Sequence, residues 1–362
     1  VSRTPAEDIG ETEPEQPARS WGRRHGPKIA LSLVLAGGLG WLLHAGALPI
    51  VPDADARGRV PGWLWPAYVS VIAAMYLVRA ARWYWLLAAI TPVPMRRVIS
   101  IGLIFFGALA LLPFRIGEAV RPALMHDRER LSVWAVTATV GAERIVDGLV
   151  LSAILAAGLL TSVPLDPLPD HVGQLPIPVA VIPTAAYGAL AVFSGGFLAM
   201  GLFYWRRGLA RAVTRTVFGL VHPGFATWLA DRVTRLSEGL RFLADPRRGL
   251  PMLAATLAYW AIHLFGTWLV LHTVGLESVT VSQAAVVLGV LSLGILIPNA
   301  PGFFGTFQIS VYAALAMFHG EESIGSAGAV AVFYLYVVQI GVALAGAAIG
   351  LFAERRHLGL AG

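Results

Sequence analysis

LLPFRIGEAVR, residues 111 to 121, breaks an apolar run and starts a charged helix where lipid would be expected. Pro113 withdraws a backbone donor and clashes with the preceding turn. A helix running through Ile101 to Leu112 is therefore predicted to stop there, and Gly117 permits close approach as a new one begins. Arg115, Glu118 and Arg121 recur every three residues, which predicts them along one side of the new helix's first turns. The N–H groups beside them would have no intrahelical acceptor. A helix end flanked by two arginines suits an anion. Such charges also mark ordinary loops at the inner face of a membrane, and this segment alone is compatible with both.

The whole chain fixes the setting. Its 362 residues are 57% hydrophobic and 13% charged, with a mean hydropathy of +0.70. A water-soluble domain could not hide that much apolar surface, so the expectation is an all-α, polytopic membrane protein. No cysteine is present, which excludes disulfides, thiolate metal sites and cysteine nucleophiles. The net charge of +6 would fit nucleic acid, but the arginines sit beside apolar segments, as the positive-inside rule expects. No nucleic-acid partner is expected.

Residues 1–27 read as a disordered cytoplasmic tail, since five acidic residues and three prolines in its first nineteen positions leave almost nothing to bury. Arg23, Arg24 and Lys28 precede a first span, Ile29 to about Val51, read as retained rather than cleaved. Trp63 to Ile90 returns to the cytoplasmic side, where Arg96 and Arg97 lie. Val98 to Leu112 is too short to cross before Pro113, so it is expected to be re-entrant. Leu131 to Leu160 crosses outward into a loop, 161–178, that holds acidic residues and no Lys or Arg. Val179 to Trp205 crosses back. Residues 206–249 then carry nine arginines against Asp231, Glu238 and Asp245, a net of +6, and their apolar residues step by three and four on either side of His222-Pro223-Gly224. Two cytoplasmic amphipathic helices follow, packed on each other in preference to lying in the headgroup layer. Leu250 to Leu276 crosses outward and Val281 to Ile297 ends in a second breaker, Pro298-Asn299-Ala300-Pro301-Gly302. Phe303 to Phe318 resumes beside Glu321 and Glu322, and Ser326 to Phe352 crosses inward to Arg355 and Arg356.

Each half, 28–160 and 179–353, thus reads as two spans, a broken re-entrant hairpin and a third span, with opposite orientations. The breakers align, because Pro113 and Pro298 are 185 apart and so are Gly117 and Gly302. Inverted-topology repeats with discontinuous helices are typical of transporters, whose sites lie near the midplane between half-helix ends. Both termini, including the tail 354–362, are placed in the cytoplasm and the protein in the cytoplasmic membrane.

GAERIVDGL, residues 141 to 149, puts Glu143, Arg144 and Asp147 inside the span 131–160. Glu143 and Asp147 share a helix face, while Arg144 and Asp147 are spaced to pair. One reading is a self-neutralising Arg–Asp bridge, reaching toward Arg115 or Arg121, and the other is a polar lining or proton site for cargo. Arg79 and Arg82 are expected to snorkel to lipid phosphates rather than bind cargo. His263 and His272 have no second ligand at a helical spacing and are read as core or interfacial residues, so no metal is expected. No Gly-Lys-Ser/Thr phosphate loop, His-Glu-x-x-His or Ser-His-Asp set is present, and neither a catalytic residue nor a cofactor is assigned.

LPFRIGEAVR, the span carrying ERIVD, and IPNAPGFFGTFQ together resemble the lysylphosphatidylglycerol synthase transmembrane family, the flippase-like integral membrane domain, over residues 28 to 353. The resemblance implies translocation of an aminoacylated phospholipid, a hopanoid or a polyprenyl-phosphate-linked sugar. It implies a substrate site at Pro113, Arg115, Gly117, Glu118, Arg121, Glu143, Arg144, Asp147, Pro298, Pro301 and Gly302, to which the breaker's Asn299 and the nearby Gln308 are added. In the second half Phe303 stands where the family has a second Gly, and Gln308 where it has an acidic residue. The soluble aminoacyl-transferase domain is not in this sequence. The expected function is a lipid flippase acting on a phospholipid or lipid-linked phosphate head group, with membrane lipids as partners and a homo-oligomer compatible with the chain. An intramembrane transferase acting on a lipid phosphate, or a scaffold for a synthase, are the alternatives.

Overall fold

The computed structural model describes residues 20–206, 208, 239–276, 279–296 and 300–355. The all-α expectation holds: among the described residues the only strand-like pairing is an isolated bridge between Val172 and Leu175. Among the described residues the longer helices are α1 (Ser20–Ala45), α2 (Leu64–Ala88), α3 (Met95–Leu111), α4 (Val120–Glu129) and α5 (Val133–Thr161). They continue as α6 (Val181–Trp205), α7 (Pro246–Thr273), α8 (Val281–Gly294), α9 (Thr306–Ala316) and α10 (Ala329–Glu354). Four of them, α2, α5, α6 and α7, and the segment Glu321–Glu354 that contains α10, are long and apolar enough to cross a membrane.

The boundaries follow local chemistry. The helix of the expected first span, α1, ends at Ala45 rather than near Val51, because Ala47 takes a left-handed conformation (φ 52°) and Leu48 N–H donates to Leu43 O at 3.0 Å. α3 stops where Pro113 demands it. Leu112, the residue before that proline, is extended (φ −91°, ψ 132°), and a 3-10 turn over Pro113–Ala119 leads into α4. α7 starts at Pro246, four residues before the expected Leu250, since Asp245 accepts from Arg247 N–H at 3.0 Å and Pro246 fits a first helical position. α8 opens on a reciprocal cap between Thr280 and Gln283. The tail 1–19, the C-terminal residues 356–362 and most of the expected amphipathic pair, at 207 and 209–238, lie outside the described residues.

The helices on either side of each break pack on one another, α3 on α4 and α8 on α9. Arg97 at the start of α3 forms an ion pair with Glu129 at the end of α4. Val93, Val98, Met125 and Leu131 share one apolar cluster with Leu87 from the end of α2. At the other end of the bundle, Leu165 N–H donates to Met317 O at 2.8 Å, beyond α9, and Tyr312 Oη donates to Pro49 O at 2.7 Å. His171 Nε2 reaches Glu321 at 2.9 Å on the same side. Packing between the halves is reciprocal: α3 lies on α10, α8 lies on α5, and α2 runs along α7. The two broken segments, 113–119 and 301–303, touch each other and α1.

Candidate functional site: a cationic cavity beside a buried ion cluster

Glu143 and Asp147 lie four residues apart on α5 and turn one face toward α2 and α7. Asp147 receives a two-pronged bond from Arg82, whose Nη2 donates at 2.9 Å to Oδ2 while Nη1 donates to Oδ1. Tyr259 Oη donates to the same carboxylate at 2.6 Å, and Arg82 Nη1 also donates to Thr256 Oγ1 at 3.0 Å. Glu143 accepts from Arg121 and lies 3.4 Å from Arg82 Nη2. The Arg121 guanidinium stacks 4.1 Å from the Phe105 ring and 4.6 Å from Trp83. Arg82 is 1% exposed and Arg121 2%. Two cations and two anions cancel in this buried volume; the fork and the added hydroxyl bonds satisfy Asp147, while Arg82 Nε, Arg121 Nε and Glu143 Oε1 have no hydrogen-bond partner among the described residues.

Three expectations are corrected here. Arg82 does not snorkel: the carboxylates of α5 hold it inside. Asp147 bonds Arg82 rather than Arg144, because a fork across the helix interface satisfies both oxygens, whereas Arg144 turns toward Glu118 at 3.5 Å. Nor do Arg115 and Arg121 line one side of a new helix. The first turns are 3-10, Arg115 is left-handed (φ 57°), and α4 begins only at Val120. Arg121 therefore points into the cluster and Arg115 away from it.

Above the cluster is a cavity of about 160 Å³, with Arg79 of α2, Arg115 of the broken segment and Arg144 of α5 on its wall beside Asp147. Arg115 Nε donates to Glu118 at 2.7 Å and its Nη1 to Ile295 O, at the end of α8, at 3.1 Å. These bonds hold a conformation that otherwise costs a non-glycine residue about 1–2 kcal/mol. Arg79 lies 5.2 Å over the Phe106 ring and 5.4 Å from that of Tyr259, with no ion pair among the described residues. Three guanidiniums against the single carboxylate of Glu118 leave a net +2, since Asp147 is neutralised by Arg82. The remaining wall is apolar and aromatic, including Phe106, Phe193, Phe303 and Phe307. Tyr76, Trp260, His263, Ser292 and Gln339 form its other polar part.

The other expected residues have local roles. A Cβ on Gly117 would sit 2.6 Å from the Ala108 carbonyl carbon and the Leu109 nitrogen, so only glycine lets the broken segment fold back on α3. Gly302 (φ 68°), in the turn that starts at Pro301, leaves room for Tyr336 Oη, which a Cβ would approach to 2.9 Å. Gln308, 1% exposed, accepts from Gly305 N–H at 2.7 Å and caps α9. An acidic side chain would make the same bond, so glutamine keeps the cap and omits the charge. Pro298 and Asn299 lie outside the described residues. His263 is buried beside Gln339 (3.2 Å between Nε2 atoms), and His272 stacks on Trp268 with ring centroids 5.1 Å apart.

Sequence reasoning missed Arg79 and Arg82 as site residues, together with Tyr259, Trp260 and Gln339. One signal was there for the arginines: α2 carries two cations and no anion, α5 an excess of anions, so spans that must be neutral in lipid had to share them.

A family model described as the lysylphosphatidylglycerol synthase TM region matches residues 29–346. No curated protein and no solved structure matches the chain.

Proposed function

Because the chain belongs to the lysylphosphatidylglycerol synthase transmembrane family, we propose that it moves a phospholipid or a lipid-linked phosphate head group between membrane leaflets. The observation that carries this reading is the net +2 cavity of Arg79, Arg115 and Arg144, walled by aromatic and aliphatic side chains. Guanidinium groups bind phosphate through paired N–H donors, and an apolar wall suits the acyl or prenyl chain. Arg121, Glu143 and Asp147 position that wall from the cluster beside it.

The movement would come from alternating exposure of the cavity by two inverted repeats. The reciprocal packing of α3 on α10 and α8 on α5 supports such a relation, as does the equal spacing of the breakers. The Arg97–Glu129 pair supports a re-entrant path for α3 and α4, which would leave the membrane on the side they entered. Arg96, Arg97, Arg355 and the arginines of 206–249 favour a cytoplasmic placement of both termini in a cytoplasmic membrane.

The test is leaflet exchange of a head-labelled anionic phospholipid in vesicles holding the purified protein. Exchange should depend on the protein and fall at least about tenfold in Arg79→Ala/Arg115→Ala, the loss expected from even one charge-assisted bond. A new lipid species on thin-layer plates would assign transferase chemistry instead. Native exchange in the double variant would overturn the phosphate site.

A further inference from the structure

The arginines of the cavity are not held like those of the cluster beside it. Arg82 and Asp147 meet nitrogen for oxygen in a fork, and side-chain exposure within the cluster is 10% or less. Glu118 holds Arg115 and Arg144 through one oxygen. Its Oε1 accepts from Arg115 Nε at 2.7 Å and lies 3.5 Å from Arg144 Nη2, while Oε2 has no partner among the described residues. The side chains of Arg115, Arg144 and Glu118 are 19%, 27% and 34% exposed. The first arrangement is fixed by burial, since neither charge can leave the other without standing unpaired in the interior. The second is exchangeable, because a partly exposed carboxylate can give up an arginine to water with little loss.

A phosphate makes the better partner for the same two guanidiniums. Its unesterified oxygens can give each arginine one of its own, where Glu118 divides a single oxygen between two. Arg79, with no ion pair among the described residues, adds a further donor on the same wall.

Displacement of Glu118 also acts on the backbone. Arg115 is left-handed (φ 57°) and two side-chain bonds hold it, one to Glu118 and one from Nη1 to Ile295 O at 3.1 Å. Both residues sit on the 3-10 turn Pro113–Ala119, which touches the second broken segment and α1. Taking Glu118 away removes one of the two holds on a conformation that L side chains rarely adopt. Occupancy of the cavity is thus felt where the two breaks meet.

Resting on the proposed phosphate reading, we infer that Glu118 is not a ligand of the cargo but its internal competitor: it occupies Arg115 and Arg144 between cargoes, yields them to an arriving phosphate, and retakes them to expel it. Binding thereby loosens the broken segment and release tightens it.

The test titrates the purified full chain in detergent with phosphatidylglycerol and, as the phosphate-free control, diacylglycerol of the same acyl chains, reading affinity by thermal shift. Head-labelled phosphatidylglycerol in vesicles reads leaflet exchange. Glu118→Gln keeps the shape and removes the charge. It should bind phosphatidylglycerol about tenfold more tightly, the worth of the charge-assisted bond that no longer has to be displaced, and exchange it about tenfold more slowly through slower release. Diacylglycerol binding should not change. Titration at about 1 M salt, where the Debye length is about 3 Å, removes the general pull of one added positive charge. A brace that only positions Arg115 would cost affinity when weakened, so a gain separates the two roles. Glu118→Asp, which keeps the charge and shortens the reach, should shift both readouts the same way by less, and carries the comparison if the Gln variant does not fold. Native or weaker phosphatidylglycerol binding in the folded variants, or tighter binding with native exchange, overturns the inference and leaves the phosphate reading standing. If the native protein holds phosphatidylglycerol no better than diacylglycerol, the phosphate reading falls and the inference with it.

Discussion

Arg82 sets both terminal nitrogens of its guanidinium on Asp147, one on each carboxylate oxygen, across the contact between α2 and α5. The pair is closed by Tyr259 and Thr256 from α7, so three spans meet at one bond set. Such a joint specifies how helices face each other where apolar surfaces alone would allow rotation.

Breaking one side of the joint should unfold the protein. Arg82→Ala leaves Asp147 charged and buried, a loss of about 3–5 kcal/mol, and Arg82→Lys should recover only part because an ammonium cannot make the fork. The apolar pair Arg82→Met/Asp147→Leu should be less damaging than either single change. Thermal unfolding in detergent reads every variant, and a native midpoint for Arg82→Ala would show that the joint is dispensable.

Arg115 and Arg121 should separate by readout. Arg121→Ala removes the hydrogen-bonded one of the two arginines at buried Glu143 and should lower thermal stability. Arg115→Ala should leave the fold standing, because the residue is on a cavity wall, yet weaken anionic lipid retention about tenfold or more. The reverse pattern would exchange the roles given to the two arginines.

The proposed topology can be mapped on a chain that has no cysteine. Arg130→Cys, just beyond α4, and Glu321→Cys, beyond α9, should react with an impermeant maleimide from opposite faces of sealed vesicles. Reaction of both from the same face would remove the inverted repeat.

The loop 161–178 should loosen as pH rises through the raised His171 transition. His171 donates from Nδ1 to Asp170 at 2.6 Å and from Nε2 to Glu321 at 2.9 Å, which requires the charged ring. Chiefly through the Asp170 bond, and then through Glu321, its pKa is raised. A raised value means the stabilisation is complete below the ordinary histidine range near pH 6.5 and is lost as pH rises through the higher, folded value. Asp170 is lowered by the same bond, so its share is present above the ordinary carboxylate value and disappears as pH falls through the depressed one. Amide exchange in the loop should accelerate above the histidine transition, and His171→Ala should abolish that step. A His171 titration at or below 6.5 would contradict the pairing.

What could be read from sequence was what is local. Pro113 ends α3 wherever the helix goes, and Gly117 marks a close approach, since both effects act on neighbouring backbone. Glu143 and Asp147 were legible as one face by spacing. Their partners were not: Arg82 is 65 residues from Asp147, and Tyr259 is 112 on the other side. Which face of α4 meets α5 decides that Arg121 is interior, and no periodicity within α4 reports it. The Trp260 and Gln339 wall exists only where α7 and α10 meet, so two apolar-looking helices gave no sign of it.

The ion cluster also bears on how the chain is made. Every charged member, Arg82, Arg121, Glu143 and Asp147, is synthesised before α6, while the second half supplies only hydroxyls from Thr256 and Tyr259. As α2 leaves the ribosome, Arg82 has no counter-ion, and a bare charge within a span resists insertion, by up to about 2.5–3.5 kcal/mol at the bilayer centre. That debt is cancelled when α5 arrives, long before translation ends. The first half can thus settle in the bilayer as an electrically closed unit and wait for the second, whereas a nascent chain interrupted between α2 and α5 presents an unmatched arginine to membrane quality control.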